Sequence, residues 1–482
     1  MSKHDFPQIH FYDQDFVDIY SKTWTWVSAF WMNPKTGEQD NEGLFIYPEN
    51  SKKIINQFDS IFSSFFLVYS NRNFDACKNI DYFYARQEEN GAIRCKYDTE
   101  NDQPVLDSSN PNGIGLPLFA WAEHNLYHKS ANKRRIKEVM PFLQKYVTWL
   151  DENFKQENGL YAVPASVSRM ENSPRDDAYY PIDFNACMAI NANYMAALGD
   201  ILNDKDLSFQ YKRMYFSIKT RINSLMWDND TGFYYDLDKD GNKLSVKTIA
   251  AYWTMLAEIP NADKADNLID HLNNPDSFGT EHPFPTLSAD DPHFSEDGNG
   301  YCGSVMPSFN FMVIKGLEKY GHYELARECA IRHLYFVLEG LMPNENKEPG
   351  DLWEAYLPNR EGKAIMPGNP NFPKKRYLAT VGLSTIALMI ENVIGLSISL
   401  PRKTVDWIIP NLEIMGIENL SLKRNLITIL SNKSSRGWEI QMESEKLYYF
   451  TINIIDQTQK TLPVPSFDHL KIFFDNESRC VI

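Results

Sequence analysis

The sequence has few of the features that mark membrane or secreted proteins. No stretch approaches the roughly 18 uninterrupted apolar residues of a membrane-spanning helix, and the N-terminal residues Met1-Ser2-Lys3-His4-Asp5-Phe6 lack the apolar segment of a signal peptide. These absences predict a protein that does not enter a membrane. They also predict a cytoplasmic location, or a periplasmic or secreted one if a signal peptide has been removed.

Cysteine and clustered histidine, the usual ligands of structural metals, are scarce. There is no CxxC pair and no histidine at zinc-ligand spacing, and reduced thiols are predicted at six isolated cysteines: Cys77, Cys95, Cys187, Cys302, Cys329 and Cys480. The segment Asp236–Gly241 matches the first half of a calcium-binding loop, but Lys247 stands where the bidentate Glu is required. We therefore predict a hairpin there, and neither a metal nor another cofactor.

Positive charge is also in deficit. Lys and Arg number 48 against 64 Asp and Glu, which gives a net charge of −16. This balance excludes a nucleic-acid-binding surface, because no basic patch is available to neutralise phosphates. The longest basic run, Lys374-Lys375-Arg376, is interpreted as a solvated turn. The sequence also has no GxSxG motif and no Cys–His pattern for nucleophilic catalysis.

Helical periodicity dominates the chain from about residue 10 to 397. In Ile54–Val68, for example, apolar residues recur at helical spacing. About a dozen such segments, separated by loops of alternating length, favour helical hairpins arranged in a ring, although the periodicity fits an irregular bundle as well. After Leu400-Pro401 the pattern changes to β alternation. The pattern predicts a mainly α fold over residues 1–397, with a small β-sandwich-like domain over residues 398–482.

Two acidic segments carry the functional prediction. Glu354 lies in a loop between Trp353 and Tyr356, and aromatic rings stack on the apolar faces of sugars while a carboxylate transfers protons. Glu171 lies 183 residues upstream, in the segment Met170–Arg175. Inverting glycoside hydrolysis needs two such carboxyl groups about 6.5–9.5 Å apart, one to protonate the leaving oxygen and one to activate water. The substrate predicted on this basis is a glycoside or oligosaccharide.

Several segments in this order resemble the inverting (α/α)6-barrel glycosidases of glycoside hydrolase family 63 and their trehalase relatives, close to the mannosylglycerate-hydrolase-like branch. The similar segments are Trp24-Thr25-Trp26, 83–91, 111–121, 170–175, 246–250 and 352–356. The resemblance implies that residues 1–397 form an (α/α)6 barrel, and that the protein hydrolyses an α-glycosidic bond with Glu171 as general acid and Glu354 as general base. It also implies a sugar pocket lined by Trp24, Trp26, Gln87, Asn112, Asn172, Arg175, Asp183, Tyr301, Trp353 and Tyr356. His282, in a loop bracketed by prolines, is predicted either to bind a sugar hydroxyl or to be structural.

The chain departs from this family at three positions. Relatives have Asp where Glu171 stands, often Asp where Val27 stands, and Trp where Met306 stands. These changes keep open a non-catalytic sugar-binding descendant of the hydrolases. His282 and Arg175 also leave open a lyase or an epimerase built on the same kind of barrel, although no clear pair of histidines supports either.

Overall fold

In the computed structural model, residues 6–33, 43–45, 53–168, 170–343 and 349–481 are described. Residues 1–5, which bear on the signal-peptide prediction, lie outside these ranges. The helices are α1 Gln14–Phe30, α2 Gln57–Leu67, α3 Lys78–Tyr84, α4 Phe119–Ser130, α5 Lys133–Phe154, α6 Ile182–Leu202, α7 Lys205–Arg221, α8 Trp253–Leu256, α9 Ala262–Asn273, α10 Pro307–Lys319, α11 Tyr323–Glu339 and α12 Leu378–Gly382. Helix α12 continues without a break into a π-helical segment, Leu383–Val393.

Alternate helices form a closed inner ring. Helix α2 contacts α4, α4 contacts α6, α6 contacts α8 and α8 contacts α10; the segment Leu383–Val393 then joins α10 back to α2. Helix α6 is buried on nearly every side, as an inner helix must be. Helix α5, by contrast, buries a single stripe that includes Ile136, Leu143 and Leu150 and lies outside the ring. The predicted (α/α)6 barrel is confirmed.

The β-strands are β1 Gln8–His10, β2 Trp31–Met32, β3 Leu44–Phe45, β4 Ile54–Asn56, β5 Lys96–Asp98, β6 Gln103–Pro104, β7 Trp227–Asp228, β8 Phe233–Tyr234, β9 Leu396–Ser399, β10 Thr404–Ile409, β11 Met415–Leu422, β12 Asn425–Ser434, β13 Gly437–Ser444, β14 Tyr448–Ile454, β15 Thr458–Val464, β16 Asp468–Phe474 and β17 Cys480–Val481. The C-terminal region contains two sheets, a six-stranded one in the order β1-β11-β12-β13-β16-β17 and a four-stranded one in the order β15-β14-β10-β9. The predicted C-terminal β domain is therefore confirmed.

The β domain contacts the barrel segment through a strand pairing and a buried hydrogen bond. Strand β1, which precedes the first helix, pairs antiparallel with β11. The buried Trp407 of β10 donates its indole N–H to the carbonyl of Ile394, at the end of the last barrel helix, at 2.6 Å. Strand β9 spans the predicted boundary between residues 397 and 398, which stays a prediction. No helix in the described ranges is both long and apolar enough to cross a membrane.

Candidate active site

A small pocket lies where the inner helices α2, α10 and α12 begin. It encloses about 250 Å³ of space, including the part open to solvent. Acidic, hydroxyl and aromatic side chains line it together, which is a suitable surface for a sugar ring. The lining residues are Phe58, Asp59, Tyr301, Met306, Ser308, Phe309, Glu354, Tyr377 and Thr380.

Glu354 is held in this pocket by the backbone of a neighbouring loop. Its own N–H donates to the carbonyl of Lys374 at 2.9 Å, and the N–H of Lys374 donates to Glu354 Oε2 at 3.1 Å. Only 5% of the residue is exposed. The carboxylate is thus fixed in orientation while one of its faces lines the pocket.

The basic run 374–376 has a structural role that the sequence did not reveal. Arg376 Nη2 lies 3.0 Å and Lys375 Nζ 3.4 Å from Asp351 Oδ2, and Asp351 is buried three residues before Glu354. Lys375 and Arg376 are solvated, as predicted, and the run in addition braces the loop that carries Glu354. A buried Asp351 needs such partners because an unpaired buried carboxylate is costly.

Asp59 is a second carboxylate of the same pocket, and sequence reasoning missed it. The hydroxyl of Tyr377 donates a hydrogen bond to Asp59 Oδ2, and this bond helps to orient both side chains. The segment 54–68 was considered only for its apolar periodicity. A signal was present, however, since Asp59 is the only charged residue between positions 54 and 70.

Asn172 connects the segment that carries Glu171 to the pocket. Its Oδ1 accepts the N–H of Tyr301 at 2.8 Å, and its Nδ2 donates to the carbonyl of Asn299 at 2.7 Å. Gly300, with φ +62°, makes this close contact possible, because a Cβ there would lie 2.6 Å from Asn172 Oδ1. Glu171 itself is exposed in the adjoining turn.

Arg175 and Asp183, expected to line the sugar pocket, form instead a buried ion-pair cluster beneath the Glu171 turn. Arg175 Nη1 lies 2.8 Å from Asp183 Oδ2, and its Nε lies 2.7 Å from Asp236 Oδ2. All three side chains are at most 2% exposed. Burial lowers the pKa of Arg175, but the two carboxylates outweigh that effect and raise it, so the guanidinium remains charged.

We expect Arg175→Met to unfold the protein at a markedly lower urea concentration, because it leaves two buried carboxylates without a cation. Breaking a buried pair in this way costs about 3–5 kcal/mol. The urea midpoint followed by circular dichroism measures the effect. Arg134→Met is the control, since it removes a cation from the exposed pair with Glu138 and should change the midpoint little. Equal midpoints for the two variants would contradict a stabilising role for this cluster.

Three further residues expected at the pocket lie in the hydrophobic core. Trp24 is 1% exposed and stacks on Phe6 with ring centroids 5.0 Å apart. His282 is fully buried and lies 2.7 Å from His333 through ring nitrogens, so the structural alternative describes it. Tyr356 is 1% exposed, and its hydroxyl accepts the N–H of Trp353 at 2.9 Å. These contacts leave none of the three a ring face for a sugar.

The other predicted residues, one in helix α1 and the rest in loops, are not part of the pocket lining. Trp26 lies under the Arg376 guanidinium at 4.8 Å, and Trp353 lies under Lys363 Nζ at 4.8 Å. The amide of Gln87 donates to the carbonyls of Gly91 and Phe142 and thereby braces a turn. Asn112 is exposed. Of the predicted set, therefore, Glu354 and Tyr301 line the pocket and Asn172 supports it.

The segment Asp236–Gly241 turns between Leu237 and Lys243, which pair antiparallel, and Gly241 adopts φ +87°. The Asp236 carboxylate accepts hydrogen bonds from the Arg175 guanidinium and from the N–H of Ile182. Within the described residues no group of three or more His, Cys, Asp or Glu side chains is placed to hold a metal ion.

Comparisons with known proteins agree with the barrel and the C-terminal β domain. Residues 59–361 match the family described as "Mannosylglycerate hydrolase MGH1-like glycoside hydrolase domain", and residues 395–472 match "Trehalase, C-terminal domain". An uncharacterized protein of Borreliella burgdorferi is 53% identical over 97% of this chain and 98% of its own length. A cytosolic neutral trehalase of Kluyveromyces lactis is 28% identical over 26% of this chain and 17% of its own length. Among solved structures, the GH63 mannosylglycerate hydrolase of Thermus thermophilus in complex with glucose superposes with a TM-score of 0.58, at 18% identity, over 77% of this chain and 98% of that one.

Proposed function

The chain belongs to the mannosylglycerate hydrolase MGH1-like glycoside hydrolase family, and from this membership we propose that it hydrolyses an α-glycosidic bond with inversion, Glu354 acting as base and Glu171 as acid. The observation that carries the proposal is the contact between Asn172 and Tyr301, at 2.8 Å. It joins the turn bearing Glu171 to the segment lining the Glu354 pocket. Inversion requires two carboxyl groups on either side of the scissile bond, and the proposal assigns these positions to Glu171 and Glu354.

Glu354 suits the base because its carboxylate is oriented before substrate arrives. The N–H of Lys374 donates to Oε2 and so orients the carboxylate, which in the proposed mechanism accepts a proton from water. General-base catalysis depends on such positioning as much as on the pKa. Glu171 is exposed in its turn, so a substrate can reach its carboxyl group.

Polar groups in the pocket provide contacts for sugar hydroxyls. Asp59 accepts hydrogen bonds, and Thr380 Oγ1 is buried without a hydrogen-bond partner among the described residues. Since an unpaired buried hydroxyl costs free energy, a sugar hydroxyl that bonds to it would recover that cost. Phe309 and Tyr301 supply aromatic surface in the same wall.

Three acids near Glu171, namely Asp176, Asp177 and Asp183, are alternatives for the acid role. Asp183 is fully buried and bound to Arg175, so it has no access to a substrate. Asp176 and Asp177 are exposed in the same turn as Glu171. They are the controls for any variant at position 171.

We expect the purified protein to hydrolyse at least one α-linked disaccharide in a set that covers gluco-, manno- and galacto-configured sugars. Released reducing sugar is measured against a blank and against the Glu354→Gln variant. Turnover that the variant abolishes supports the proposal. Sugar binding without turnover anywhere in the set would instead identify a non-catalytic descendant of the hydrolases.

A further inference from the structure

A second and larger cavity lies at the other end of the barrel, against the β domain. It encloses about 1,420 Å³, including the part open to solvent. Helix α10 runs between the two sites: Ser308 lines the Glu354 pocket and Glu318 lines this cavity. Ten residues of helix rise about 15 Å. The cavity is therefore separate from the candidate active site.

The acidic groups of this cavity are largely neutralised within its wall. Lys315 Nζ lies 3.1 Å from Glu318 Oε2 and 2.8 Å from Glu391 Oε2. Glu391 also accepts a hydrogen bond from the Tyr69 hydroxyl, and the amide of Asn392 donates to Glu318 at 2.7 Å. These contacts leave the two carboxylates little capacity to bind a cation.

Hydrogen-bond donors on helices α4 and α10 line the cavity as well. One of them, Lys319 Nζ, also lies 3.5 Å from Glu258 Oε2, which is outside the lining. The His124 ring lies 4.6 Å from the His128 ring and 5.0 Å from the Tyr194 ring, and Lys319 Nζ lies 5.3 Å from the Tyr194 ring. Asn125 Nδ2 is buried and has no hydrogen-bond partner in the part of the chain that is described. These groups form a compact set of nitrogen donors.

The formal charges on the lining are four cations, Lys129, Lys315, Lys319 and Arg402, against three acids, Glu318, Glu391 and Asp406. Lys129 lies in the last turn of helix α4 and Lys319 in the last turn of helix α10. Both offset the partial negative charge of the helix end. Arg402 has no such role, because it is exposed in the turn between β9 and β10. Arg402 therefore adds positive charge at the rim.

The electrostatic environment of the two histidines agrees with this distribution. Burial lowers the pKa of His124 to about 3, and the charges of His128, Lys319 and Arg402 act in the same direction. Burial likewise lowers the pKa of His128 to about 4, with Arg402 and Lys129 contributing. With pKa values this low both imidazoles are neutral at pH 7, so they can contribute ring N–H groups to the cavity but no charge.

We propose that this cavity is a second binding site, for the oxyanion of a phosphate or sulfate group, held by His124, Asn125, Lys319 and Arg402. A tetrahedral oxyanion accepts several hydrogen bonds at once, and the guanidinium fork matches its geometry. The same chemistry is presented by inorganic phosphate and by a phosphorylated sugar. The lining also includes Trp121 and Tyr323, which give a sugar moiety apolar surface to contact.

Isothermal titration of the full chain with inorganic sulfate, at constant ionic strength set with chloride, tests the site. We expect saturable binding of one sulfate, weakened about fivefold or more by Arg402→Gln through loss of a charge-assisted hydrogen bond. Lys403→Gln is the matched control: it removes one positive charge at the adjacent exposed residue, which is not part of the lining. Asn125→Leu tests the buried donor and should weaken binding while circular dichroism shows an unchanged fold.

Absence of saturable sulfate binding would overturn the proposal, as would equal weakening by Arg402→Gln and Lys403→Gln. Titrations with inorganic phosphate and with a hexose 6-phosphate then distinguish the source. Tighter binding of the hexose phosphate, lost in Arg402→Gln, identifies a phosphorylated sugar. Equal affinities for inorganic phosphate and the hexose 6-phosphate identify the free anion as the ligand. Neither result depends on whether Glu354 is catalytic.

Discussion

Replacing Glu354 by Gln is expected to lower kcat by roughly 10²–10⁴-fold while KM changes little, because the amide keeps the contacts of the carboxylate but cannot accept the proton of water. Gln can still accept the Lys374 N–H that holds Glu354 Oε2. The loop should therefore keep its position. Initial rates on the best disaccharide substrate, with fold monitored by circular dichroism, measure the effect.

Glu361→Gln is the matched control, since Glu361 is an exposed acid seven residues further along the same segment. It should retain full activity. A Glu354→Gln variant as active as this control would show that Glu354 is not the base.

Replacing Glu171 by Gln is expected to remove most of the general-acid contribution, roughly 10²–10⁴-fold, for substrates with a sugar leaving group. The loss should be much smaller for a nitrophenyl glycoside, because nitrophenolate needs little protonation to leave. The comparison of kcat/KM on the two substrate types is the measurement. Equal losses on both would mean that Glu171 only positions the sugar.

Two further variants separate Glu171 from its neighbours. Asp176→Asn and Asp177→Asn remove exposed acids of the same loop and should leave the dependence on leaving group unchanged.

Glu171→Asp shortens the side chain by one methylene and should impair the enzyme, because Asn172 and Gly300 fix the backbone of the turn and prevent compensation.

The helices and the β domain could be predicted from periodicity, because burial imposes a periodic pattern over many residues, whereas the closed barrel was implied only by the family resemblance. The segment 54–68 shows why the pocket could not. Its apolar stripe predicted helix α2 correctly, while Asp59 at its first turn faces the pocket. A single polar residue at a helix start has no periodic signature. The contact of Asp59 with Tyr377 spans 318 residues of sequence.

The same limit explains the residues that were expected at the pocket but lie elsewhere. Trp24 occurs in a segment similar to the family and His282 in a loop bracketed by prolines, yet Phe6 and His333 pack against them in the core. Arg175 and Asp183 were assigned to sugar binding, and the partner that explains both, Asp236, was considered only as part of a metal-like loop. Glu354 was found because its aromatic flanks are adjacent in sequence.

The anomeric form of the first product tests the central claim most directly. Hydrolysis of an α-linked substrate is followed by ¹H NMR during the first minutes, before the released sugar equilibrates between its anomers. If Glu354 activates water on the face opposite to the leaving group, the β-anomer accumulates first. Initial accumulation of the α-anomer would show retention and would contradict the assignment of Glu171 and Glu354 as an inverting pair.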